Sequence, residues 1–224
     1  IELINCTDEV HAGFTADAYA RVSGVGCVVC TYNVGALKLV NAVACANAER
    51  SPLIVISGAP GVKERNEGML LHHTSGSYDC QRRIFQEITC QTVVCDNPNT
   101  VGYQIDYAIE KMKHHKRPIY IEIPRDLVRT SISYDVYKQG TPKKPHSNAE
   151  NLEESIQEVI EWLKSSQNPA ILAGVELARY DLGRELIAFC EKHEIPVATT
   201  LLSKSVVNER HDLFAGIYSG SSSK

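Results

Sequence analysis

The chain has 224 residues, 43% of them hydrophobic, enough for one large or two modest cores. Its 23 Lys and Arg against 27 Asp and Glu give a net charge of -4, so no broad basic surface is available for nucleic acid or an anionic membrane, and a small molecule or a second copy of the chain is the expected partner. No apolar run approaches the roughly 18 to 20 residues that cross a bilayer, and no leader-like segment is present, so a cytoplasmic protein is expected.

Short apolar runs alternate with longer helical patterns along the chain. IELIN predicts a first strand, residues 8–23 a helix, GCVVCTY a strand and residues 34–50 a second helix. LIVISGAP follows as a strand, then an irregular stretch, a short helix over 81–87, the strand TCQTVVC, a helix over 100–115 and the strand PIYIEIP. Strands apolar on both faces and separated by helices predict an α/β fold, a parallel β-sheet covered by helices on both faces. Thr7 or Asp8 is placed to cap the first helix and Asn33 the second, each by accepting orphan backbone N–H bonds.

From 131 to 149 the pattern gives way to a polar stretch rich in Pro and Lys, the composition of a linker. A second, incomplete α/β unit is expected over 150–224. It opens with an amphipathic helix over 152–165 that aligns Leu152, Ile156, Val159, Ile160 and Leu163, and continues with PAILAGV, a helix over 182–192 and IPVATTLL. A start on Ile already inside a strand pattern, with the second unit stopping short, suggests a piece of a longer protein.

Eight cysteines are many for this length, yet Cys27, Cys30, Cys45, Cys90, Cys95 and Cys190 lie inside apolar runs, as buried free thiols would. The pair Cys27 and Cys30 has the spacing of a redox or zinc motif. On a strand, however, residues three apart point to opposite faces, so one metal could not take both thiolates.

Two places could carry chemistry. Glu9 lies just after the first predicted strand, in the first turn of a helix, where a carboxylate commonly serves the helix dipole alone. His72 and His73 fall in the irregular stretch after a strand, where loops at the carboxyl ends of a parallel sheet line the ligand crevice. Paired imidazoles there could shuttle protons near neutral pH, or could be no more than a solvated loop. A metal site is disfavoured, because no third ligand stands at suitable spacing. The Gly-rich turns match neither a dinucleotide fingerprint nor a P-loop.

EVHAGFTADAYARVSG, TYNVGALKLVNAVACANAERSPLIVISGAPG, LLHHTSGSYD and RPIYIEIPRDLV, in this order, resemble successive motifs of the pyrimidine-binding domain of thiamine-diphosphate-dependent 2-oxo acid decarboxylases. The likeness covers nearly all of residues 1–130, and the later segments PAILAGVELARYDLG and VATTLLSKSVV are similar to that family's central domain. It is greater to phenylpyruvate and indolepyruvate decarboxylases than to pyruvate decarboxylases.

The resemblance implies that Glu9 hydrogen-bonds N1′ of the aminopyrimidine, from a buried site that raises its pKa, and so promotes the imino tautomer that generates the thiazolium ylid. It implies that Val34 and Gly35 pack on the pyrimidine, with Asn33 departing from the smaller residue usual there. His72 and His73 become proton donors, a feature that sets the decarboxylases apart from carboligating acetolactate synthases. Thiamine diphosphate and Mg2+ are the implied cofactors. The diphosphate and magnesium motif, Gly-Asp-Gly followed by Asn, is absent from these residues, as is an acidic Gly-Asp motif expected before them. The implied active site forms between subunits of a homodimer or homotetramer acting on a 2-oxo acid, aromatic or branched favoured. The other readings are a pyruvate decarboxylase, a carboligase, or a binding protein without activity.

Overall fold

Four short runs rich in β-branched residues pair side by side, all parallel, in the order β1-β2-β4-β3. They are β1 (Gly26–Cys30), β2 (Leu53–Ala59), β3 (Gln91–Val94) and β4 (Ile119–Pro124). The computed structural model describes residues 2–132 and 146–223, and the chain divides into two compact units, Ile1–Pro142 and Lys143–Lys224. Most of the expected linker lies outside the described residues.

In the first unit the helices are α1 (Glu9–Ser23), α2 (Val34–Lys38), α3 (Val40–Ala48), α4 (Val62–Glu67), α5 (Cys80–Glu87) and α6 (Val101–His115). One core joins Ala16 of α1, Leu39, Val43 of α3 and Phe85 of α5 to Val28, Val55 and Tyr120 of the sheet. On the other face Ala108 and Met112 of α6 pack on Val93, Ile119 and Ile121. The alternation of side chains along each strand thus feeds two cores. Strand β4 is buried on both faces, as a central parallel strand should be. Helices flank the sheet as expected; along β1 Cys27 is exposed and Val29 is 65% exposed. This strand lies at the edge of the sheet, beyond the reach of α6, which touches β3 and β4.

Several local expectations need correction. Residues 2–6 form no strand and are exposed. The helix expected over 34–50 is interrupted at Leu39. Asp8 caps α1 by accepting from the Val10 amide at 2.8 Å, but the Asn33 side chain makes no cap bond, because its backbone takes φ 53°, ψ −108°. The stretch after β2 was expected to be irregular throughout, yet opens with α4. Asp126 holds the α4 N-terminus, accepting from Val62 N at 3.1 Å and Lys63 N at 3.4 Å, a tertiary cap that local patterning does not reveal. All eight cysteines are free, but only Cys190 is fully buried; Cys30, Cys45, Cys90 and Cys95 are half-buried. Apolar neighbours in sequence are shared between two faces of a strand, and one of those faces can be open.

The second unit sets β5 (Ile171–Ala173), β6 (Val197–Thr200) and β7 (Phe214–Tyr218) parallel in that order. Its helices are α7 (Ala149–Ser165), α8 (Val175–Arg179) and α9 (Gly183–His193). Helix α7 has the predicted apolar stripe, but the described residues bury none of it, and Leu152 and Val159 are each 50% exposed. The core is small, built on Ala173, Cys190, Val197 and Val207.

Candidate active site

Parallel strands deliver their connecting loops to one end of the sheet, and three candidate segments meet there in the first unit. The turn after β1 carries Tyr32, Asn33, Val34 and Gly35. Glu9 comes from the first turn of α1, and His72 and His73 from the loop between α4 and α5.

Glu9 and Gly35 are brought together. A methyl group on Gly35 would stand 3.1 Å from Glu9 Oε1 and 2.6 Å from Thr31 Cγ2, so only glycine permits this approach. Val34, one residue earlier, is an apolar side chain left 48% exposed.

The electrostatics of Glu9 differ from the expectation. Its side chain is 32% exposed, and Lys38 of α2 reaches Oε2 at 3.1 Å while also pairing with Asp8. The N–H of its own residue, and then the Lys38 ammonium, hold the carboxyl below the usual range, against a smaller upward push from burial. The raised pKa expected of a desolvated carboxyl is therefore not present. A lysine one helical turn beyond Gly35 supplies the counter-charge that the apolar sequence context had hidden.

His72 and His73 are both exposed, with ring centroids 3.9 Å apart and planes tilted by 35°. His73 has φ 68°, a left-handed conformation that turns the chain sharply between the two rings. Tyr32 ties this loop to the β1 turn by donating its hydroxyl proton to the His72 carbonyl at 3.2 Å. The hydroxyl of Thr74 is buried without a partner. Tyr32 and Asn33 of the β1 turn gather with Pro60, Tyr78, Gln81 and Glu122, with no space left for a water molecule among them.

Behind the Asn33 turn lies a buried polar group of side chains not singled out by the sequence patterns. Gln81 is 3% exposed, and its carbonyl oxygen accepts from the Asn33 amide. Its Nε2 donates to Ser57 Oγ at 3.0 Å and to the Tyr120 hydroxyl. Tyr120 in turn donates to Glu122 Oε2 at 2.9 Å, and Arg65 of α4 pairs with the other Glu122 oxygen. Burial, then the neighbouring Glu122 charge, push the Tyr120 hydroxyl pKa strongly upward, which keeps it a donor. One signal was available: Glu122 is the single charged residue in an otherwise apolar strand.

Residues 1–84 match the thiamine pyrophosphate enzyme N-terminal TPP binding domain, and residues 156–224 match the central domain of the same enzymes. The chain belongs to the thiamine pyrophosphate enzymes. It is 34% identical over 221 residues to an indole-3-pyruvate decarboxylase of Azospirillum brasilense, covering 98% of this chain and 40% of the relative. To pyruvate decarboxylase 3 of Arabidopsis thaliana it is 34% identical over 223 residues, with 97% and 37% covered. A thiamine metabolism regulatory protein of Saccharomyces cerevisiae is 31% identical over 218 residues, with 96% and 36% covered. The chain therefore spans about two fifths of the length of these relatives. Among thiamine pyrophosphate enzymes the likeness is to the decarboxylases. Among the described residues no helix is long and apolar enough to cross a membrane.

Proposed function

We propose that the full-length protein is a carboxy-lyase that converts a 2-oxo acid to an aldehyde and carbon dioxide, with thiamine diphosphate and Mg2+ as cofactors. The approach of Gly35 to Glu9 carries this reading. It leaves an acceptor oxygen beside a surface without Cβ, flanked by the apolar Val34, and such a cradle suits one edge and one face of an aminopyrimidine. Glu9 would accept the hydrogen bond of N1′, while Val34 and Gly35 would support the ring. When bound, the thiazolium takes up the electron pair released as carbon dioxide leaves.

The remaining roles belong to the chain's own groups. His72 and His73, exposed at the rim, are assigned to orienting the substrate carboxylate and to delivering a proton to the carbon that has lost it. Ligands for the diphosphate and Mg2+ are assigned to other parts of the full-length protein, since the Gly-Asp-Gly and Asn motif is absent here. An active site completed by a second subunit gives a homodimer or homotetramer. Aromatic or branched substrates such as indolepyruvate and phenylpyruvate are favoured by the indole-3-pyruvate decarboxylase relative, with pyruvate next.

A second reading is a protein that binds the cofactor and regulates without turnover. The Lys38 pair favours it, because a carboxylate held in its ionised form by an ammonium shares a proton with N1′ less readily. The regulatory relative from yeast is consistent with it. Supplying full-length protein with thiamine diphosphate, Mg2+, and pyruvate or phenylpyruvate decides the matter by aldehyde release. Aldehyde that disappears in Glu9→Gln with the fold intact supports the enzyme; acetolactate in place of aldehyde would sink it in favour of a carboligase, and tight binding without product supports the regulator.

A further inference from the structure

We propose that Gln81 is a positioning residue, the hub of a buried hydrogen-bond network that sets the cofactor turn and the His72–His73 loop relative to one another. This rests on the thiamine-dependent reading above and adds to it a residue that touches neither cofactor nor substrate.

The network has one consistent direction of donation. The Asn33 amide can only donate, which fixes the oxygen end of the Gln81 amide towards it. Nε2 is then left with two hydrogens, and two acceptors face it, Ser57 Oγ and the Tyr120 hydroxyl. Ser57 passes its own proton to the Gly58 carbonyl at 2.9 Å, and Tyr120 passes its proton to Glu122 at 2.9 Å. Arg65 neutralises the remaining Glu122 oxygen. Every polar atom of Gln81 is thereby used, at a site where Gln81, Ser57, Tyr120 and Glu122 are each at most 3% exposed.

What the network joins gives it a functional sense. Asn33 precedes Val34 and Gly35, and its left-handed φ of 53° persists only where its surroundings over-determine it. The Gln81 acceptor is the buried bond made by that amide. At the other end, Gln81 on α5 and Arg65 on α4 belong to the two helices that bracket residues 68–79, the stretch with both histidines. Tyr32 to the His72 carbonyl closes the loop from above. Loss of the Gln81 amide frees the Asn33 turn to relax, withdrawing Gly35 from Glu9, and unpins the α5 end of the histidine loop in the same step.

The test uses the full-length protein with three substitutions. Gln81→Met keeps the volume and removes the amide; it is expected to weaken thiamine diphosphate binding by apo-protein calorimetry about tenfold or more and to speed hydrogen exchange at the Asn33 amide. Tyr120→Phe removes only the hydroxyl between Gln81 and Glu122 and is expected to weaken binding in the same direction, about threefold, which keeps the idea testable should Gln81→Met fail to fold. Phe85→Leu alters the ring stacked on Tyr120 at 4.5 Å, so it lowers the melting temperature and is expected to leave cofactor affinity unchanged. Wild-type affinity in either network variant, or a loss in Phe85→Leu as large as theirs, overturns the positioning role. Wild-type protein that neither binds cofactor nor releases aldehyde overturns the functional reading itself, and the proposal with it.

Discussion

Gly35 stands against Glu9 so closely that a single added methyl group would meet the carboxylate oxygen at 3.1 Å and Thr31 Cγ2 at 2.6 Å. Gly35→Ala therefore sets two effects against each other. Alanine favours the helical backbone of α2 by up to about 1 kcal/mol, whereas overpacking in a tight site costs about 1–3 kcal/mol. The net expectation is a loss of about 1 to 2 kcal/mol in a urea melt, and a far larger relative loss of thiamine diphosphate binding by calorimetry, because the new methyl fills the cradle itself. Unchanged cofactor affinity would show that the space beside Glu9 is not used.

Lys38 binds Asp8 and Glu9 together, and this gives a definite pH dependence. Lys38 and the local backbone hold both carboxyls below their ordinary values of 3.8 and 4.5, so the stabilisation is complete above that range and is lost as pH falls through the lowered values. The Lys38 ammonium is raised above 10.5, so its contribution is complete below that value and is lost as pH rises through the raised one. Lys38→Met should accordingly melt below wild type at neutral pH, with the gap closing in acid and again in strong alkali. Since the backbone N–H lowers Glu9 more than Lys38 does, the acid limb of the activity profile should shift only part of the way upward. A melting gap that stayed constant down to the most acid conditions would mean that Lys38 acts through packing alone.

The parallel sheet and its helices could be read from the alternation of LIVISGAP, TCQTVVC and PIYIEIP with helical runs, because central strands are apolar by necessity. The meeting of Glu9 with Gly35 could be placed only through family resemblance, since nothing local ties residue 9 to residue 35. Less was legible where distant residues decide local structure. Helix α4 depends on Asp126, more than 60 positions away, and the state of Glu9 depends on Lys38 across a turn. Gln81 resembles any polar residue opening a helix until Asn33, Ser57 and Tyr120 are seen around it. The strand expected of IELIN illustrates the reverse case, an apolar pattern with no pairing partner among the described residues.

The thiols offer a chemical map of the same burial. Cys30, Cys90 and Cys95 have pKa values pushed up to about 11 by burial, leaving less than about one part in a thousand as thiolate near pH 7.5. Cys190 is fully buried with its thiol raised for the same reason. Brief iodoacetamide treatment followed by peptide mass spectrometry should label the exposed Cys6 first and leave these four unmodified. Rapid labelling of Cys190 without denaturant would contradict the packing of α9 on β6.

Asn33 supplies a test with the opposite sign, a substitution expected to stabilise. Its φ of 53° with ψ of −108° suits glycine, and its side chain makes no cap bond to compensate. A residue held in such a region costs about 1–3 kcal/mol, while glycine adds about 0.5–1 kcal/mol of unfolded-state entropy to be lost on folding. Asn33→Gly keeps the backbone N–H, so the bond to Gln81 survives and only the Cβ strain is removed. The balance is a gain of about 1 kcal/mol, which for a protein of this size is an upward shift of about 2–4 °C in melting temperature. Cofactor affinity should hold, because the turn that presents Val34 and Gly35 keeps its shape. A variant that melts lower than wild type would show that the Asn33 side chain, rather than the Gln81 acceptor, holds the turn.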